Sequence, residues 1–176
     1  MNSEMEKAKV FNVLFLCSGN SARSIMAEAI LNRHGQGRFH AFSGGSDPKG
    51  EINPYALAAL HKAGFAADGL RSKSWDEFSG PEAPALDFVF TLCDSMAGDT
   101  CPHWPGQPMT VHWGLPDPAA VESTEALKHL AFADAFRMLN NRIGIFAALP
   151  LSSLDWLSLQ NRLDRIGTSA ARSAAA

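Results

Sequence analysis

Val13-Leu14-Phe15-Leu16-Cys17-Ser18-Gly19-Asn20-Ser21-Ala22-Arg23-Ser24 is the stretch from which the rest of the chain can be read. Its first four residues are an unbroken apolar run, the composition of a strand buried on both faces in a parallel sheet. Small and polar residues follow, and Ile25 to Leu31 returns to a helical pattern. Cys17 stands where the strand should end, and Arg23 stands six residues later where the helix should begin. Small residues at such a junction let successive backbone N–H groups curl inward above a helix N-terminus, which suits a tetrahedral oxyanion. The same field favours the thiolate of Cys17, and the fork of Arg23 adds bidentate contacts to anion oxygens. Ser18, Gly19, Asn20, Ser21, Ala22, Arg23 and Ser24 are therefore the expected oxyanion-binding residues, with Cys17 as nucleophile. The competing reading, a core cysteine and a surface arginine, would satisfy a bare C-x5-R spacing. Gly19, Asn20 and Ser24 inside the junction favour the site.

Working outward, Val10 to Leu16 is the first strand, and a helix beginning at Ser21 or Ser24 reaches about Arg33 before Gly35-Gln36-Gly37. Arg38 to Ser43 reads as a second strand, so the first two strands form a parallel βαβ unit. Asn53-Pro54 opens another helix with proline in its first turn, and Gly64 closes it. Ser74-Trp75-Asp76-Glu77 has the spacing of a capping box. Leu86 to Leu92 is a third strand, delivering Cys93 to the same edge as Cys17. Asp94 to Gly106 reads as a mobile loop carrying Cys101, and Met109 to Trp113 as a short fourth strand, followed by the rigid turn Leu115-Pro116-Asp117-Pro118. A long helix over Glu122–Ala148 presents Leu127, Leu130, Ala131, Phe132, Phe136, Leu139, Ile143 and Phe146 as its apolar side. Ser152 to Ile166, opened by a Ser152/Asp155 cap, is a last amphipathic helix, and the tail from Thr168 reads as disordered. These elements make a three-layer α/β/α fold around a four-stranded parallel sheet. The reading assigns residues 10–150 to one domain and 151–176 to a helical extension with its tail. Cys17, Cys93 and Asp117 all fall beyond strand ends, where such sheets bind ligands.

The chain has 176 residues, 46% of them apolar, enough for one packed core. A net charge of −3 gives no basic footprint, so no nucleic-acid partner is expected. No apolar run approaches a membrane span, and residues 1–9 do not read as a secretory signal. Three cysteines in such a chain point to a reducing, cytoplasmic setting and to chemistry rather than to structural bridges. Cys93 and Cys101 could be ordinary thiols, or zinc ligands with His103 or His112, but no C-x2-C pair is present and the spacing matches no common metal site. A redox role suits them better: a thiol at a strand end can approach Cys17, and one on a glycine-containing loop can swing to meet it.

The Cys17–Ser24 loop resembles the phosphate-binding loop of the low-molecular-weight protein tyrosine phosphatases and of the arsenate reductases built on the same fold. Together with Cys93, Cys101, Trp104-Pro105-Gly106 and His112-Trp113-Gly114-Leu115-Pro116-Asp117-Pro118, it looks like the arsenate reductases, over roughly residues 10–148. Two departures stand out. Many relatives carry a second cysteine where Ala22 stands, and the Cys93–Cys101 spacing is one residue longer than is common. The resemblance implies arsenate as substrate, with phosphate or sulfate as analogue, and Cys17, Arg23, Asp117, Cys93 and Cys101 as catalytic residues. Asp117 would be the general acid; read by itself, it could equally be a turn aspartate before Pro118. Thioredoxin, or glutaredoxin with glutathione, is the implied reductant of a monomeric enzyme without a cofactor. Asn20 and Ser24 are expected to brace the loop, Asn20 against Ser43. In some relatives an acidic residue at the place of Glu28 helps bind potassium, and Lys73 is expected to supply an ammonium there instead. The rival functions are phosphatase activity, which needs neither Cys93 nor Cys101, and non-catalytic oxyanion binding, which needs no nucleophile.

Overall fold

The computed structural model describes residues 9–94 and 102–174, with side chains through residue 168. Four strands, β1 (Phe11–Leu16), β2 (Phe39–Gly44), β3 (Phe88–Thr91) and β4 (Met109–His112), form one sheet in the order β2-β1-β3-β4. Every pairing is parallel. Four α-helices accompany them: α1 (Arg23–His34), α2 (Pro54–Lys62), α3 (Glu125–Ala148) and α4 (Trp156–Ala174). The α/β class, the four parallel strands and the βαβ start match the sequence reading.

Both faces of β1 are covered, which is why its sequence is continuously apolar. Val13 and Phe15 enter the larger core with residues of all four helices, including Met26, Leu60, Phe146 and Leu163. Leu14 and Leu16 face the other way, onto a smaller cluster with Phe78, Val89, Cys17 and Cys93. Among the described residues that second face is closed by the 3-10 turn Trp75–Phe78 and by Trp75 and Trp104, which meet edge to face at 6.2 Å. α4 is packed onto the domain: Leu159, Leu163 and Ile166 belong to the larger core, and the Trp113 indole donates to the Leu163 carbonyl at 2.8 Å.

Strand order and register position the site. From β1 the chain runs through α1 to β2 on one side, then returns past β1 to β3 on the other. The crevice at this change of direction lies beyond the carboxyl ends of β1 and β3. Leu16 is level with Thr91, and Thr91 with His112. Cys17, Cys93 and the turn leading to Asp117 therefore emerge at one edge.

Several local expectations are corrected. Ser74 accepts from the Asp76 amide at 3.1 Å, but Glu77 turns to Arg71 rather than back to Ser74, so no capping box closes. α3 starts at Glu125 behind a Thr124 cap, and Leu127 and Leu130, expected in its apolar face, are about half exposed at 48% and 54%. Their place is taken by Ala135, Ala147 and a charged residue, Arg142. Asp155 alone caps α4, through the Ser158 amide at 2.8 Å, because Ser152 lies in a separate 3-10 turn. The tail expected to be disordered from Thr168 is helical as far as Ala174. Cys101 and most of the loop read as mobile lie outside the described residues.

Candidate active site

The loop after β1 is held by its carbonyls. Ser18, Gly19 and Ser21 carbonyls accept from the amides of Asp47, Lys49 and Asn53, at 2.9, 3.0 and 2.9 Å. A planar trans peptide points its N–H opposite to its C=O. Fixing these carbonyls on the 47–53 segment therefore turns the amides of Gly19, Asn20 and Ala22 away from it, as an anion cradle requires. Gly45 lets the two segments approach: a Cβ there would lie 2.5 Å from the Ser18 carbonyl oxygen.

Asn20 takes a left-handed conformation, with φ of 43°, which asparagine tolerates better than most residues. Its side chain is buried and used at both ends. The amide nitrogen donates to Ser24 Oγ at 2.8 Å, and the amide oxygen accepts from the Lys73 backbone N–H at 2.8 Å. Asn20 thus braces against Ser24 and Lys73, and not against Ser43. Ser24 Oγ also lies 2.9 Å from Cys17 Sγ. Once Cys17 is ionised its sulfur can only accept, so the Ser24 hydroxyl is then the donor. The nucleophile candidate therefore has a fully buried hydroxyl donor aimed at it.

Beneath the loop, Lys73 Nζ donates to the Arg71 carbonyl at 3.0 Å and to Ser43 Oγ at 3.3 Å, and lies 3.7 Å from Glu28 Oε1. Both charged side chains are nearly buried. Desolvation pushes the Glu28 carboxyl up from 4.5, against the pull of Lys73, and pushes the Lys73 ammonium down from 10.5, against the pull of Glu28. For both groups burial outweighs pairing. Ser43 serves this ammonium rather than Asn20.

Arg23 leaves the first turn of α1 and crosses to the turn after β4. Its Nη1 donates to the Leu115 carbonyl at 3.1 Å, and its Nη2 lies 3.7 Å from Asp117 Oδ2. Asp117 is partly exposed and accepts from the Ala119 amide at 3.0 Å, capping the 3-10 turn Pro118–Ala120. The turn role read from its sequence and its place beside Arg23 are thus both present. Cys93 is buried, with its sulfur 3.5 Å from Ser18 Oγ. Cys17, Ser24, Arg23, Asp117 and Cys93 thus share one edge; Cys101 lies outside the described residues.

Two residues went unremarked in the sequence. The Lys49 stem lies on Gly19, with Cε 3.3 Å from the position a Cβ would occupy there; no local pattern marks this contact. Arg142 is fully buried, and its spacing from Leu139, Ile143 and Phe146 did signal this, since it falls on their helical stripe. Among the described residues no group of His, Cys, Asp and Glu could hold a metal ion, and no helix is long and apolar enough to cross a membrane.

This chain is similar to known proteins along most of its length. Residues 12–149 match the family model described as low molecular weight phosphotyrosine protein phosphatase. An arsenate reductase from Bacillus licheniformis is 35% identical over 135 residues, 77% of this chain and 94% of that protein. Among solved structures, an arsenate reductase in its oxidized state aligns with a TM-score of 0.63 at 26% identity, covering 78% of this chain and 96% of that one. A thioredoxin-dependent arsenate reductase from Corynebacterium glutamicum aligns with a TM-score of 0.57 at 25% identity, covering 87% of this chain and 63% of that one.

Proposed function

The chain belongs to the low molecular weight phosphotyrosine protein phosphatase family, and from that premise we propose that it is an arsenate reductase whose electrons pass through Cys17, Cys93 and Cys101. The observation that carries the reading is the buried Cys93 thiol beside the anion loop, 3.5 Å from Ser18 Oγ. Phosphate-ester hydrolysis uses Cys17, Arg23 and Asp117 and has no need of a second sulfur there.

Arsenate shares phosphate's shape and charge, so the Ser18–Ser24 loop and the Arg23 fork receive it. The Cys17 thiolate attacks arsenic, while Asp117 protonates the departing oxygen. Cys93, as thiolate, then attacks Cys17 Sγ. The S–As bond breaks with its electron pair passing to arsenic, which leaves as arsenite, and a Cys17–Cys93 disulfide remains. Cys101 attacks Cys93, releasing Cys17 as thiolate and leaving a Cys93–Cys101 disulfide. An external dithiol restores the pair; thioredoxin is the proposed donor, with glutaredoxin and glutathione as the alternative. Such a relay belongs in a reducing compartment, the cytoplasm, in a monomer whose work is arsenic detoxification. Lys73 takes the place of a bound potassium ion beneath the loop.

The test is arsenate-dependent oxidation of reduced thioredoxin, and of glutathione with glutaredoxin, beside aryl phosphate hydrolysis. Cys17→Ser is expected to abolish every activity. Cys93→Ser and Cys101→Ser lose arsenate turnover and keep whatever ester hydrolysis wild type shows. Full arsenate turnover in the Cys93 variant refutes the relay. Ester hydrolysis by wild type without arsenate-dependent reductant consumption makes the protein a phosphatase.

A further inference from the structure

Arg142 is charged and fully buried, and among the described residues no carboxylate pairs with it. Its neighbours along the α3 stripe, Leu139, Ile143 and Phe146, are all at 0% exposure. Its Nη1 donates to the Trp113 carbonyl at 3.0 Å and to the Gly114 carbonyl at 3.2 Å. Among the described residues, Nε and Nη2 have no hydrogen-bond partner. Removing a guanidinium from water in this way is costly, and an apolar residue of similar volume would pack there at lower cost. A stability role alone therefore explains it poorly.

What Arg142 grips is the start of the outer wall of the site. The Leu115 amide is bound to the Leu92 carbonyl at 3.2 Å, and the Leu115 carbonyl receives Arg23. Two residues later stands Asp117, 3.7 Å from the same guanidinium. The Trp113 indole is already held by the Leu163 carbonyl of α4, so Arg142 fixes the backbone where α4 fixes the ring. We propose that Arg142 is a positioning residue: by clamping the Trp113 and Gly114 carbonyls, it sets the turn so that Leu115 and Asp117 meet Arg23. Its effect on turnover rests on the acid role given to Asp117; its effect on the turn does not.

The test uses the full chain with Arg142→Met and Arg142→Lys. Hydrogen exchange reads the clamp without any activity. In Arg142→Met the Leu115 amide should exchange about tenfold faster, while the Cys17 amide, bound to the Gly44 carbonyl, keeps its protection. Turnover reads the consequence, on whichever substrate wild type uses. Arg142→Met should lower kcat about tenfold with KM within about twofold, and cost nothing further in an Asp117→Asn background. Arg142→Lys, which keeps a donor for the carbonyls, should recover much of the loss, and it carries the same two readouts if the methionine variant does not fold. Unchanged Leu115 protection, or losses that add to those of Asp117→Asn, would overturn the proposal. Faster exchange without loss of turnover would overturn its link to Asp117 while leaving the arsenate reading to its own assay.

Discussion

The inner wall of the site, Cys17 to Ser24, and the outer wall, Trp113 to Asp117, are both turns beyond a parallel strand, yet they are held in different ways. The inner wall is tied at nearly every residue. Its carbonyls are taken by the 47–53 segment, and its buried Asn20 and Ser24 side chains are chained to each other, to Lys73 and to Cys17 Sγ. The outer wall presents a partly exposed carboxylate, with one long ion pair to Arg23 and a turn-capping contact to Ala119. An anion cradle must be rigid before the anion arrives, because its donors work only when already aimed. The proton donor proposed at Asp117 would exchange with solvent between turnovers, and partial exposure suits that role.

Breaking the outer wall should cost most in the chemical step. Asp117→Asn removes the proton but keeps the cap, so kcat should fall about a hundredfold with little change in KM, as steady-state kinetics on arsenate or an aryl phosphate would show. An equal loss in KM would mean that Asp117 serves binding instead. On the inner wall, Ser24→Ala deletes the hydroxyl aimed at Cys17. A roughly tenfold loss in kcat is expected, with a matching fall in the rate of Cys17 alkylation by iodoacetamide located by mass spectrometry. Undiminished alkylation would mean that the hydroxyl serves only the loop's geometry.

The smallest effect on turnover, and the largest on stability, belongs to the support beneath the inner wall. Lys73→Met strands Glu28 in a nearly buried position and should cost about 3 kcal/mol in urea unfolding. The pH dependence separates the partners. Glu28 binds its proton more tightly folded than unfolded, so its contribution is fully present below the unfolded value of 4.5 and is lost as pH rises through its raised folded value. Wild type should therefore compare more favourably with Glu28→Gln below pH 4.5 than at neutrality. The reverse trend would show that pairing with Lys73 outweighs burial.

Much of this arrangement could be read without coordinates because its signals are short-range. The apolar run at β1, the small-residue junction after it and the proline and glycine at the ends of α2 each act within a few residues of their own position. The family resemblance then named Asp117 and Cys93, which spacing alone left ambiguous. Periodicity misled at Leu127 and Leu130, because an apolar residue on a helix is buried only if another element covers it.

By itself the sequence determined the α/β class, the parallel pairing of β1 with β2, the turn that joins β1 to α1 over Ser18–Ala22 and the place of Cys17 at a strand end. These follow from composition, period and turn chemistry along a continuous stretch. Only the tertiary structure decided that Asn20 braces against Ser24 and Lys73, that Ser43 serves the Lys73 ammonium, and that Arg142 grips the turn before Asp117. Each of those joins residues from different elements, and sheet order and register, which bring them together, are set by the packing of the whole chain.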